Sequence, residues 1–168
     1  MTRHALRASF YKIMAFTEKV HNLVLKGLEA RPDLFLVDLK INDSNKIQVV
    51  LDGDNGINLQ DCISLSRFVD DNLDREEEDF SLEVASAGVS SPLKFVRQFR
   101  KNIGRNLKVI SISNEEFEAE LTDVTEENIS LEWQAREPKV LGKGKETVDK
   151  KKVLAYSEIK EAIVIVSF

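Results

Sequence analysis

The sequence predicts an α+β protein of two domains, and three observations lead there. Two segments of the first half repeat apolar residues at the helical period, three runs rich in branched residues accompany them, and five short strand-like runs separated by turn formers fill the second half. The first half therefore reads α-β-β-α-β, a two-layer arrangement in which two helices cover one face of a small sheet. The second half reads as a short helix leading into a small β-barrel. The expected division is 1–13 as a flexible N-terminal arm, 14–89 as the α/β domain and 90–168 as the barrel domain. The boundary falls near Ser90, where Gly88, Ser90, Ser91 and Pro92 give the chain a hinge.

Taken in order, residues 1–13 (MTRHALRASFYKI) hold three basic residues, no acid and no clear cap, and read as a loose arm or an upstream translation artefact. The first helix is expected from about Thr17 to Ala30, with Phe16, Val20, Leu23, Val24 and Leu28 along one side and Pro32 ending it. LFLVDLKI (34–41) and KIQVVLD (46–52) read as a hairpin joined by Asn42 to Asn45. Asn58 is placed to cap a second helix from Leu59 to about Leu73, whose apolar side is Leu59, Cys62, Leu65, Val69 and Leu73. A third strand follows at Phe80 to Ala85. In the second half, Ser91 and Pro92 read as the cap and first residue of a short helix, PLKFVRQFRKN, with Gly104 as its stop. NLKVISIS, FEAELTDV, NISLEWQA, KKVLAYS and EAIVIVSF are the five strands, and one longer basic loop precedes the fourth.

Composition narrows the function. Hydrophobic residues are 42% and charged residues 32% of the chain, and the net charge is −5. No apolar run approaches the roughly 18 to 20 residues that span a bilayer, and the first 17 residues lack a leader pattern, so a cytoplasmic protein without membrane contact is expected. The single cysteine, Cys62, falls within an apolar helical pattern and reads as core. His4 and His21 have no ligand-spaced partners, so neither metal nor cofactor is expected. The chain carries no GxSxG, Walker, dinucleotide or HExxH motif, and Ser86, Ser90 and Ser91 have no visible base partner, so no enzyme is expected. Trp133 and Phe117 read as core residues of the barrel.

Charge is unevenly placed. Lys94, Arg97, Arg100, Lys101, Arg105 and Lys108 follow one another with no acid between them, and apolar Phe95, Val96, Phe99 and Ile103 take the other side of the helix. A second basic set lies in KVLGKGKETVDKKK, including Lys143, Lys145, Lys150, Lys151 and Lys152, where glycine-flanked lysines of a loop can meet phosphates by shape and charge. These eleven side chains are the RNA-binding candidates. On the acidic side, Glu116, Glu118 and Glu120 alternate with Phe117, Ala119 and Leu121, giving one strand face of carboxylates that could dock a basic protein. DDNLDREEED (70–79) reads as a solubilising loop. LDGDNGIN fails as a calcium loop, because Ile57 and Ile63 stand where glycine and glutamate are needed. Its Gly53-Asp54-Asn55-Gly56 has the GxxG spacing of nucleic-acid-binding KH domains, yet Asp54 would repel a phosphate, and the stretch reads as a tight turn feeding the Asn58 cap.

Together VVLDGDNGINLQDCISLSR, LEVASAGVSSPLK and IGRNLKV resemble the RimP family of bacterial ribosome maturation factors, over almost all of the chain after its first dozen or so residues. Where that family usually has Ser-Pro-Gly with Asp-Arg soon after, this chain has Ala87 for the proline and Ser90 and Ser91 for the charged pair, while Gly88, Pro92 and Leu93 remain. The resemblance implies a C-terminal barrel of the Sm-like or SH3-like kind and a non-catalytic role in small-subunit (30S) assembly. The implied partners are the immature small subunit, a small-subunit ribosomal protein near the decoding centre, and ribosomal RNA. A monomer is expected. The alternative is an RNA-binding regulator whose Sm-like barrels assemble into rings.

Overall fold

The structure, a computed structural model, describes residues 2–166. The chain divides into two compact units, Met1–Ala87 and Gly88–Phe168, each with its own sheet and apolar core. Both are mixed in content, so the protein is α+β with two sheets.

The first unit comprises α1 (Arg3–Gly27), β1 (Leu34–Ile41), β2 (Lys46–Gly53), α2 (Leu59–Asn72) and β3 (Ser81–Ser86). Its sheet has the order β1-β2-β3, with β1 antiparallel and β3 parallel to the central strand. Parallel neighbours need a long crossover, and α2 supplies it. Ile47, Val49 and Leu51 of β2 face Phe16, Val20 and Val24 of α1 and Leu65 and Val69 of α2, forming one buried cluster. In the β1–β2 turn the Asn42 side chain accepts from Ser44 N (3.0 Å) and Lys46 N (2.9 Å), and Asn45 takes a left-handed φ of 56°.

Two boundaries differ from expectation here. The N-terminal arm is not loose: residues 3–13 form the first turns of α1, started by Thr2, whose hydroxyl accepts from Ala5 N at 3.3 Å. No proline or glycine lies between Arg3 and Lys26, so a helix anchored at Phe16 and Val20 extends backward at one hydrogen bond per residue. It also ends at Gly27, three residues before Ala30. Leu59, expected on the apolar side of α2, is 76% exposed, because the first residue after the cap precedes the buried face that starts at Cys62. Residue 1 of the expected arm and residues 167–168 of the last expected strand lie outside the described residues.

LDGDNGIN is the tight turn that the sequence suggests. Gly56 N donates to Gly53 O (3.0 Å), Gly56 has φ +90°, and Asn58 and Asp61 exchange side-chain to backbone bonds of 2.9 and 3.0 Å at the start of α2. Arg31 ties this start down, donating to Asp61 (2.9 Å) and to both oxygens of Asp33 (3.0 Å each), and the carboxylates hold its guanidinium pKa above the ordinary value.

The second unit comprises α3 (Val96–Lys101), β4 (Asn106–Ser111), β5 (Glu116–Val124), β6 (Asn128–Pro138), β7 (Lys145–Ala155), a 3-10 turn at Tyr156–Glu158, and β8 (Ile159–Val164). All neighbours are antiparallel in the order β7-β6-β5-β4-β8. β7 and β8 are joined by only three residues yet stand at opposite margins, so the sheet must curl, helped by register shifts at Ile110/Ser111 and Leu121/Asp123. No ladder joins the two margins among the described residues, and the sheet is open at that seam. The core inside the curl is Phe99, Leu107, Val109, Ala119, Leu121, Ile129, Leu131, Leu154 and Ala162, with Phe117 and Trp133 packed edge to face at its border.

Two elements of this unit also correct the sequence reading. Ser91 and Pro92 do not begin a helix: Leu93 N donates to Ala162 O (2.8 Å), which keeps the chain extended against β8 until Phe95. The cap comes from within the helix, where the buried Gln98 side chain accepts from Lys94 N (2.8 Å) and Phe95 N (3.1 Å). The stretch 139–150 is not a long loop either. Only 139–144 connects the strands, and Lys145–Ala155 pairs rung by rung with β6. After Gly144 no glycine or proline interrupts the run, and Val148, Val153 and Leu154 suit a strand, while its lysines suit a sheet margin.

Two substitutions test this account by urea unfolding. A Cβ at Gly53 would lie 2.2 Å from the Gly56 carbonyl oxygen, a backbone atom that cannot step aside, so Gly53→Ala is expected to cost about 2 kcal/mol. Gln98→Ala removes the acceptor of two amides at the start of α3 and is expected to cost about 2 kcal/mol as well. An unchanged midpoint for either would show that the site relaxes without loss.

Candidate functional site

Strand alternation sorts the charges of the second unit. In β5, Ala119 and Leu121 turn into the core and Glu116, Glu118 and Glu120 are exposed on the outer face. Their neighbours in register share that face: Asn106, Lys108 and Ile110 of β4 on one side, and Glu132 of β6, directly opposite Glu120, on the other. Beyond Glu132 come Gln134 and, on β7, Asp149 and Lys151, with Gln134 Nε2 donating to Asp149 at 3.2 Å. Glu120, Glu132, Trp133, Gln134, Asp149 and Lys151 line a shallow groove of about 390 Å³. Like charges opposed across strands are unfavourable unless something positive meets them. Glu132 and Asp149 were not singled out in sequence, although the alternation Leu131-Glu132-Trp133 carried the signal for the first.

The eleven basic candidates do not form one surface. Phe99 anchors α3 on the core side of the sheet, so Arg97, Arg100 and Lys101 lie on the side away from the glutamate face, with Arg97 and Lys101 half-buried and Arg100 exposed. Arg100 Nη2 donates to Glu126 at 2.8 Å. Lys94 and Arg105, both exposed, flank the helix. Lys108 belongs to the other side. It alternates with buried Leu107 and Val109, and its Nζ is 3.1 Å from Glu116, whose hydrogen bond and charge raise its pKa above the ordinary lysine value. On β7, Lys150 is half-buried opposite Trp133 and paired with Glu137, whereas Lys151 stands opposite Glu132 and Lys152 opposite Leu131. Lys143 lies in the connection and Lys145 at the first rung. Arg105, Lys143, Lys145, Lys151 and Lys152 have no ion pair within 4 Å among the described residues.

The remaining motifs are structural. Arg75 gathers the 70–79 segment, bonding to Asp70 (2.6 Å) and to Phe80 O (2.8 Å) with its guanidinium 4.2 Å over the Phe80 ring. Gly88 to Ser91 form a turn closed by Ser91 N donating to Gly88 O (2.9 Å), and Pro92 follows it. Cys62 is buried under α2, and burial, then Asp61, raises its thiol pKa. Among the described residues no His, Cys, Asp or Glu cluster could hold a metal, and no helix is long and apolar enough to cross a membrane.

Comparison with known proteins agrees across both units. Residues 23–90 match the RimP N-terminal domain family. The chain is 61% identical over 155 residues to the ribosome maturation factor RimP of Flavobacterium psychrophilum, covering 92% of this chain and 100% of that protein. It is 54% identical over 151 residues to the protein of the same name from Christiangramia forsetii (90% and 98% covered), and 33% identical over 134 residues to that of Porphyromonas gingivalis (80% and 88%).

The Lys108–Glu116 contact is open to a direct test. Glu116→Gln removes the first cause of the raised Lys108 pKa, so the side-chain nitrogen, followed by NMR titration, should lose its proton at lower pH than in the parent protein. An unmoved titration would assign the shift to Glu118 and Glu161 instead.

Proposed function

Because the chain belongs to the RimP family of ribosome maturation factors, we propose that it acts on the immature small (30S) ribosomal subunit by gripping protein and RNA with different faces of its second unit. The observation that carries this reading is the outer sheet face, where Glu116, Glu118, Glu120 and Glu132 lie side by side, with Lys108 beside Glu116 and Lys151 opposite Glu132 as counter-charges. Such a face suits a basic small-subunit ribosomal protein near the decoding centre, because the partner's cations relieve the repulsion between Glu120 and Glu132. The cations on the other side and along β7, apart from Lys151, which stands on the glutamate face, suit ribosomal RNA, whose phosphates they meet without base reading.

In this reading the factor works without catalysis or cofactor, as a monomer in the cytoplasm, and departs when the subunit matures. The first unit is of the two-layer, KH-like kind, although its GxxG spacing serves a turn. The curled five-stranded sheet is a small Sm-like or SH3-like barrel with its seam between β7 and β8. Gly88, Ser90, Ser91 and Pro92 are the hinge of a chain divided into 14–89 and 90–168. A second reading, a ring-forming RNA-binding regulator, is favoured by the two sheet margins, which offer edges for pairing between copies.

Co-sedimentation decides between them. The wild-type chain should pellet with small subunits taken from cells lacking it and far less with mature ones. Glu116→Gln, Glu118→Gln and Glu120→Gln together should weaken that binding on the order of tenfold, about 1.4 kcal/mol. Equal binding to both particles would overturn the reading, and a mass of six or seven copies in solution would favour the ring.

A further inference from the structure

The β6–β7 hairpin runs well past the core it belongs to. Trp133 is the last residue of β6 packed against the cluster, and five further rungs follow, from Gln134↔Asp149 to Pro138↔Lys145. At the strand rise this is a two-stranded ribbon of about 17 Å beyond the last core residue of β6. A ribbon serving only stability would end in a polar turn. This one ends in Lys139-Val140-Leu141-Gly142-Lys143-Gly144, where Val140 and Leu141 are 92% and 87% exposed, more than any other large apolar side chain described. Lys139, Lys143 and Lys145 surround them and have no ion pair within 4 Å among the described residues, the closest acids in register being Glu137 and Glu146. Gly142 and Gly144 have φ of +89° and +96° with open space where a side chain would be, so the backbone itself can come close to a surface.

We propose that this tip is a wedge for folded RNA. Val140 and Leu141 would enter a shallow groove or an opened base step, while Lys139, Lys143 and Lys145 neutralise the phosphates on either side. Apolar wedges flanked by cations are how proteins hold nucleic acid by shape. An anionic bilayer would also accept a basic, apolar tip, but it is flat. Here Lys145 at the end of the ribbon and Lys151 and Lys152 toward its base, the last two on opposite faces of β7, spread positive charge around a narrow edge, which fits a groove walled by phosphates and would stand clear of a membrane plane. The inference rests on the proposed action at the immature small subunit, and names the part of the chain that enters its RNA.

The test uses the full chain, a transcript of small-subunit ribosomal RNA at several salt concentrations, and vesicles of mixed anionic and neutral phospholipid. Val140→Ser with Leu141→Ser should weaken transcript binding about fivefold with the salt slope unchanged. Lys139→Ala, Lys143→Ala and Lys145→Ala together should flatten the slope by about 2, at roughly 0.7 per phosphate lost. Neither set should alter retention on vesicles. Transcript binding equal to wild type in both variants overturns the wedge, as does vesicle binding that the serine pair abolishes. If the wild-type chain still pellets with immature subunits in that case, the wedge alone fails; if it binds neither subunits nor transcript, the reading beneath it fails too.

Discussion

Side-chain alternation along β5 is the constraint on which the second unit depends. Ala119 and Leu121 fill the curl, so Glu118 and Glu120 have no choice but the outer face, and β4 and β6 add their own charged residues beside them in register. A slip of one residue would bury three carboxylates and expose the core, a cost far beyond what a small domain can absorb. The charged face is thus held in place by the same pairing that makes the core, and any partner that recognises it meets a surface whose spacing cannot drift.

Placement of α3 depends on that core in turn. Six residues of helix are too few to persist alone, and what fixes them is Phe99 inside the cluster together with Gln98, whose buried amide closes the helix start on the backbone of Lys94 and Phe95. The arginines and lysines of α3 are therefore presented by packing more than by helix propensity. Because Phe99 lies on the core side, they stand across the sheet from Glu116, Glu118 and Glu120, which converts a mixed sequence into faces of unlike charge.

Much of this was legible in the sequence where periodicity is long and uninterrupted. β1 and the α2 cap fall where branched runs and Asn58 put them, and the alternation of FEAELTDV names both the buried and the exposed residues of β5. What was not legible depends on partners distant in the chain. Pro92 reads as a helix start until Leu93 is seen bonded to Ala162, a partner far along the chain and invisible to local pattern. KETVDK reads as a loop because charge hides its strand character, and only the long β6 beside it supplies the missing hydrogen bonds. The Lys94 to Lys108 series looks like one basic surface because a list of residues has no faces; the turn into β4 sends Lys108 to Glu116.

The two units treat their charges differently, and the difference bears on which of them meets a partner. In the first, the conspicuous basic side chains close on local acceptors: Arg31 on Asp33 and Asp61, Arg75 on Asp70 and the Phe80 carbonyl. These networks fix the start of one helix and the end of it, and a partner would have to break them to use them. In the second, Glu120 faces Glu132, and Arg105, Lys143 and Lys145 have no ion pair within 4 Å among the described residues. Each arrangement is locally unfavourable or neutral for an isolated domain. Local cost without a structural return is what a binding surface looks like before its partner arrives, and in the proposed function it is the second unit that meets the partner.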